Sequence, residues 1–134
     1  MAIQYSLTSR TNRLTQLNTD IGASCVIKLF SGAAPANCGT ADTGTLLVQF
    51  AGNAGGFGSV ASQTLTASAV ASVTATASGT PGYFRIYPTA ATTTNAVVQG
   101  TCGTSGTDMI LTAASVTAGQ TVNFTSLTIV AYGA

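Results

Sequence analysis

A chain of 134 residues with four Lys or Arg, three Asp, and no His, Trp or Glu is 5% charged, where a soluble domain averages roughly 25%. Three carboxylates and no imidazole offer little for general acid-base chemistry, a His-activated nucleophile or a hard-metal cage, so the chain is expected not to be an enzyme and to need no cofactor or metal. Arg10, Arg13, Lys28 and Arg85 are too few and too scattered to displace the counterions of a nucleic acid or to anchor on anionic lipid, so neither nucleic acid nor membrane is expected as a partner.

The length suits a single domain, residues 1–134, able to bury about two thirds of its unfolded surface. The start of the chain lacks the basic-then-apolar order of a secretory signal, and Thr, Ser, Gly and Asn interrupt every apolar run. Synthesis in a reducing cytosol is expected. In the first segment Ile3, Tyr5 and Leu7 alternate with Gln4 and Ser6, the period of an extended arm over residues 1–8. Leu14, Leu17 and Ile21 then recur at helical spacing, which predicts an amphipathic helix over 9–21 with Thr8 or Ser9 as cap and Gly22 as stop. Its other face, Arg10, Thr11, Arg13 and Asn18, is polar and suits a surface position.

From Ala23 onward the period is two, and residues 23–134 read as strands. Cys25, Ile27 and Leu29 alternate with Val26, Lys28 and Phe30 up to Gly32; a loop with Pro35, Asn37, Gly39 and Asp42 leads to a second strand at Leu46–Phe50. Gly52–Gly58 reads as a turn. The Ala, Ser and Thr tract Ser59–Ser78 predicts two strands, because its larger residues are β-branched. Gly82–Tyr87, ended by Pro88, is the clearest strand: Phe84 and Ile86 are expected in the core, with Tyr83, Arg85 and Tyr87 on the other face. Further strands are expected at Ala96–Gly100, Asp108–Leu111 and Thr121–Tyr132, the last with a bulge near Thr125-Ser126 that would restore one buried face. Short strands, glycine turns and a single helix predict an all-β fold: a two-sheet antiparallel sandwich, jelly-roll-like, with one N-terminal amphipathic helix.

Residues that could carry chemistry each have a plainer reading. The serines lack an activating base. Lys28 is expected as a surface lysine, and Asp42 and Asp108 as turn residues bonded to their own backbone. Of the three cysteines, Cys25 reads as a small buried hydrophobe. Cys38 and Cys102 stand before Gly-Thr in expected loops, where a bridge would need an oxidising medium, and their spacing fits no zinc site. Gly52–Gly58 lacks the Lys-Ser/Thr of a phosphate loop. Thr64/Thr66, Thr74/Thr76 and Thr92/Thr94 form a Thr-x-Thr pattern too irregular for a solenoid, which leaves an ice- or carbohydrate-binding sandwich as a second class of function.

The ordered set Gly82–Tyr87, Val97–Thr101, Gly103–Met109 and Ala118–Ile129 resembles small virion proteins of tailed bacteriophages. The helical start with Arg10, Arg13, Leu14 and Ile21, and the segments Phe30-Ser31-Gly32, Pro35-Ala36 and Thr43–Leu47, extend the resemblance over most of the chain, weakly across Ser59–Ser78. The order of the set carries it rather than any one motif. It implies a structural protein of the particle, a capsid decoration or cement protein that binds the major capsid protein and self-associates as a dimer or trimer, located in the virion and made in the host cytoplasm. A tail or fibre-base component is the nearest alternative. The family implies no catalytic residues. The expected partner-binding residues are Ile3 and Tyr5 of the arm with Arg10 and Arg13 of the helix. A low surface charge and open sheet edges favour association on independent grounds.

Overall fold

A computed structural model describes residues 3–53, 55–90, 92 and 94–131. Met1 and Ala2 of the expected arm and Tyr132 of the expected last strand lie outside the described residues. Helix α1 (Leu7–Ile21) begins two residues before the predicted start. The cap is Ser6 rather than Thr8 or Ser9: its backbone is extended, at φ −61° and ψ 157°, and its Oγ accepts the Ser9 N–H at 3.1 Å. Every residue from Ser6 to Ser9 except Leu7 carries a capping hydroxyl, so composition alone does not select among them. Gly22 stops the helix as expected, at φ 72°, its N–H donating to the Asn18 carbonyl. Ser6→Ala is expected to lower the unfolding free energy by about 1 kcal/mol, read as a lower urea midpoint; an unchanged midpoint would show that the cap bond contributes nothing.

Among the described residues ten strands follow: β1 (Val26–Ser31), β2 (Leu46–Ala51), β3 (Gly58–Ala61), β4 (Thr64–Ala67), β5 (Val73–Thr74), β6 (Pro81–Tyr87), β7 (Val98–Gly103), β8 (Met109–Leu111), β9 (Thr121–Val122) and β10 (Phe124–Val130). Eight of them form one sheet in the order β2-β1-β6-β7-β8-β10-β4-β3, and β5 pairs with β9 in a separate two-stranded sheet. Phe50 of β2 and Leu65 of β4, near opposite ends of that order, sit in the same buried cluster, so the large sheet curls over one core. The chain is thus mostly β with one N-terminal helix.

The main sheet is mixed, where antiparallel pairing was expected throughout. β7 and β8 run parallel, with Cys102 beside Met109 and Gly103 beside Ile110. The reason is local: Asp108 Oδ2 accepts from Thr101 N at 2.9 Å and from Thr101 Oγ1 at 3.0 Å, so the chain doubles back along β7 before β8 starts. The tract 59–78 forms three strands instead of two. Its β3–β4 hairpin turns on Ser62 and Gln63, both with positive φ, a geometry that Asn-Gly would have advertised and Ser-Gln does not. The predicted last strand divides into β9 and β10, and the register of β10 against β8 shifts between Phe124 and Ser126, at the expected bulge.

Ile27 and Leu29 of β1, Val48 and Phe50 of β2, Phe84 and Ile86 of β6, and Leu14 and Ile21 of α1 all bury into the main core. Asn18 fastens the helix to the sheet: its Nδ2 donates to the Gly58 carbonyl at 2.9 Å and its Oδ1 accepts the Gly58 N–H at 3.1 Å, the pair of hydrogen bonds a neighbouring strand would make. That residue, expected on the solvent face of the helix, is half-buried for this reason.

Candidate assembly surface

The far side of β1 and β6 is as buried as the core side. Strand alternation puts Val26, Lys28 and Phe30 opposite Tyr87, Arg85 and Tyr83, and carries one polar row, Gln49, Lys28, Arg85 and Gln99, across β2, β1, β6 and β7. Loops with residues 32–45, 88–90 and Thr92 cover the middle of that row, leaving Lys28 4% exposed and Arg85 0%, while Gln49 on β2 stays exposed. The expected surface lysine is therefore a buried one. Tyr83, Arg85 and Tyr87, expected on the second face of their strand, are on that face but are sealed from water by the loops.

Arg85 has every N–H engaged. Nε and Nη2 donate to Gln99 Oε1 at 3.1 and 2.8 Å, Nη2 also to the Asn37 carbonyl at 2.9 Å, and Nη1 to the Thr40 carbonyl at 2.7 Å, Asp42 Oδ1 at 3.0 Å and Tyr87 OH at 3.2 Å. Burial works against the charge, but the contacts with Tyr87 and Asp42 outweigh it and hold the guanidinium pKa above its ordinary value. Tyr87 donates a short hydrogen bond to Asp42, and burial together with that bond pushes the phenol up to about 12. Asp42 thus pairs with β6 across the loop instead of capping its own turn. Lys28 Nζ donates to the Thr92 carbonyl at 2.9 Å and lies 4.8 Å from the Tyr87 ring centre. Tyr83 OH donates to the Thr43 carbonyl at 2.6 Å, and Gly44, at φ 73°, lets the loop pass so close to Ser31 that a Cβ there would overlap the Ser31 carbonyl. These groups clamp two loops to the sheet, and the donors of Arg85, Tyr83 and Tyr87 are all engaged within the chain.

The solvent-facing apolar side chains lie elsewhere. Ile3 is 80% exposed, Leu7 51% and Tyr5 39%, and the Arg13 guanidinium sits 3.7 Å from the Tyr5 ring centre. Of the four expected partner-binding residues, Tyr5 and Arg13 are thus in contact at the start of α1, and Ile3 stands exposed two residues before Tyr5. Arg10 is half-buried, and its Nε is enclosed without a partner among the described residues. Leu7 belongs to the same patch; its place in the Ile3-Tyr5-Leu7 alternation was the available signal.

Protein-family models, curated proteins and solved structures contain no match to this chain. Its geometry therefore carries the functional argument. All three cysteines are free: Cys25 and Cys102 are buried, Cys102 within strand β7 rather than in a loop, while Cys38 packs on the far face against the cluster of Val26, Tyr87 and Ala96. The sheet separates Cys38 from Cys102, so the two do not bridge. Burial raises the Cys25 thiol and pushes Cys102 up to about 11. Among the described residues no group of three His, Cys, Asp or Glu gathers, and no helix is long and apolar enough to cross a membrane. The Thr-x-Thr pairs fall on β4, on and just after β5, and in the loop before β7, so they share no single ladder.

Proposed function

We propose that this chain is a non-enzymatic structural protein of a tailed-phage particle, binding the major capsid protein and stabilising the shell as a decoration or cement protein. The observation that carries the reading is the exposed, uncharged arm and helix start, Ile3, Tyr5 and Leu7, on a domain that turns Lys28 and Arg85 inward as clamps. A surface whose apolar side chains stand out while two of four cations are internal suits contact with other subunits rather than reaction or charge-driven binding. The curled sheet, with Thr76 N donating to the Leu47 carbonyl and so joining the β5 segment to the β2 edge, is read as a jelly-roll-like sandwich. In this reading the chain resides in the virion and self-associates as a dimer or trimer.

Deleting residues 1–6 is expected to lower the copy number of the protein on purified particles, counted by quantitative mass spectrometry with the wild-type chain as reference. Unchanged occupancy would remove the arm from the contact, and absence of the wild-type chain from purified virions would overturn the reading. Cryo-EM density between capsomers in many copies supports decoration; density at the tail instead supports a tail or fibre-base part.

A further inference from the structure

The main sheet contains a gap the width of one strand. On one bank, β7 pairs with β6 along Val98–Thr101, but β8 reaches only Cys102 and Gly103 on its other side. On the opposite bank, β10 pairs with β4 along Thr128–Val130, while β8 reaches only as far as Leu127. The space on the line of β8 is a cavity of about 260 Å³ floored by Phe84, with Asp108 at its inner end. Backbone direction is fixed on both banks. The Thr101 N–H turns into the gap to reach Asp108 Oδ2, so Gln99, two residues earlier, presents its N–H and carbonyl to the same side. Ala131 N donates to the Gln63 carbonyl on the β4 side, so Ile129 faces β4 and Val130 faces the gap. Two strand edges with open backbone groups thus confront each other, a template for strand addition.

The same chain carries a segment with the matching pattern. Ile3–Ser6 has no strand partner, alternates apolar with polar, leaves Ile3 and Tyr5 exposed, and is uncharged, while the charge of Asp108 in the gap is already engaged by Thr101. Within its own chain the arm is held at the surface of α1 by the contact of Tyr5 with Arg13. We propose that the gap between β7 and β10 receives the Ile3–Ser6 arm of a second copy of this chain, and that reciprocal exchange closes a symmetric dimer. Ile3 and Tyr5 then face the Phe84 floor, while Gln4 faces outward beside the exposed Thr128. Each arm gains backbone partners on both sides, and a closed exchange leaves no open gap to propagate. The inference rests on the reading of the arm as an assembly contact and names its partner.

In a Cys38→Ser background, chains carrying Gln4→Cys and chains carrying Thr128→Cys are purified separately, mixed and oxidised. A disulfide-linked heterodimer is expected in the mixture, and far less dimer from either chain alone. Sedimentation of the full chain is expected to show a dimer that Ile3→Asp weakens by about 100- to 10,000-fold, the loss of two buried isoleucines, one on each exchanged arm, with the far-UV circular dichroism of the dilute monomer unchanged. A strict monomer, a dimer indifferent to Ile3→Asp, or a disulfide that forms only when both substitutions share one chain overturns the exchange. Particle occupancy of the wild-type chain is measured beside it: occupancy without the mixed crosslink removes the exchange and leaves the particle reading standing.

Discussion

Arg85→Leu is expected to lower the unfolding free energy by about 3–5 kcal/mol, seen as a reduced urea midpoint at unchanged slope. The magnitude follows from what the substitution strands rather than from the charge alone. Without the guanidinium, Gln99 Oε1 and the Thr40 carbonyl lose their donor beneath the loop, the Asn37 carbonyl keeps only the Thr40 N–H, and the Asp42 carboxylate keeps only the Tyr87 hydroxyl with no cation beside it. Replacing a whole buried ionic set with matched apolar residues is often neutral, whereas removing one partner leaves the others uncompensated. Asp42→Ala is accordingly expected to be milder, because Arg85 keeps Gln99, Tyr87 and two carbonyls, and the coupling between the two sites is read from the double variant. The loop responds locally as well. Residues 37–42 should become the first site of proteolysis in Arg85→Leu, while Thr43, still tied to Tyr83, stays protected. A change within about 0.5 kcal/mol, the size of an ordinary surface substitution, would mean that the cluster clamps nothing.

The features legible in the sequence were those set by neighbours along the chain. Gly22 ends the helix because a glycine can take positive φ there, Pro88 follows the last residue of β6, and the change of parity between Val122-Phe124 and Leu127-Ile129 marked a shift in register that the ladder shows. The alternation of Ile3 and Tyr5 with polar residues pointed to the arm, and those side chains are exposed. What alternation could not reveal was the cover on the second face of β1 and β6. A period of two divides a strand into faces without saying which face meets water, and the groups that bury Arg85 and Lys28 come from Asn37, Thr40, Asp42 and Thr92, each 43 to 64 residues away from the side chain it meets. The gap beside β8 was hidden for the same reason. It exists because Asp108 holds the loop back onto Thr101, a contact that no pattern of apolar residues encodes.

Clamps and gap together give the molecule two kinds of surface. Where residues 32–45, 88–90 and Thr92 lie over β1 and β6, cations and hydroxyls are occupied internally and that face of the two strands is closed to a partner. Where α1 begins and where β7 parts from β10, apolar side chains and backbone edges remain open. The arm itself, Ile3–Ser6, carries no charge, so contacts made by its side chains and backbone should vary little with salt.

Stability should also fall steeply as pH rises from about 9 to about 12, and the direction follows from three raised pKa values. Tyr87 titrates near 12 in the folded chain against 10.0 ordinarily, and Cys102 near 11 against 9.0; Cys25 is raised as well. Each group therefore releases its proton from the unfolded chain at a lower pH than from the folded one. Across the window the unfolded state binds fewer protons, so raising pH favours unfolding; below about pH 9 the contribution is present in full. A shift of two units corresponds to about 3 kcal/mol for each of Tyr87 and Cys102, a loss comparable with the whole stability of a small domain. The physical cause is common to all three: a buried phenolate or thiolate has no water to solvate it, and a phenolate at Tyr87 would also face the Asp42 carboxylate. Urea titrations at stepped pH test this. Cys102→Ala should flatten the profile between about pH 9 and 11, and Tyr87→Phe between about pH 10 and 12, the latter with a lower plateau at neutral pH because its bond to Asp42 is gone. A wild-type profile flat across both windows would mean that Tyr87 and Cys102 are reached by water, and would contradict the sealed far face of β6 on which the clamp depends.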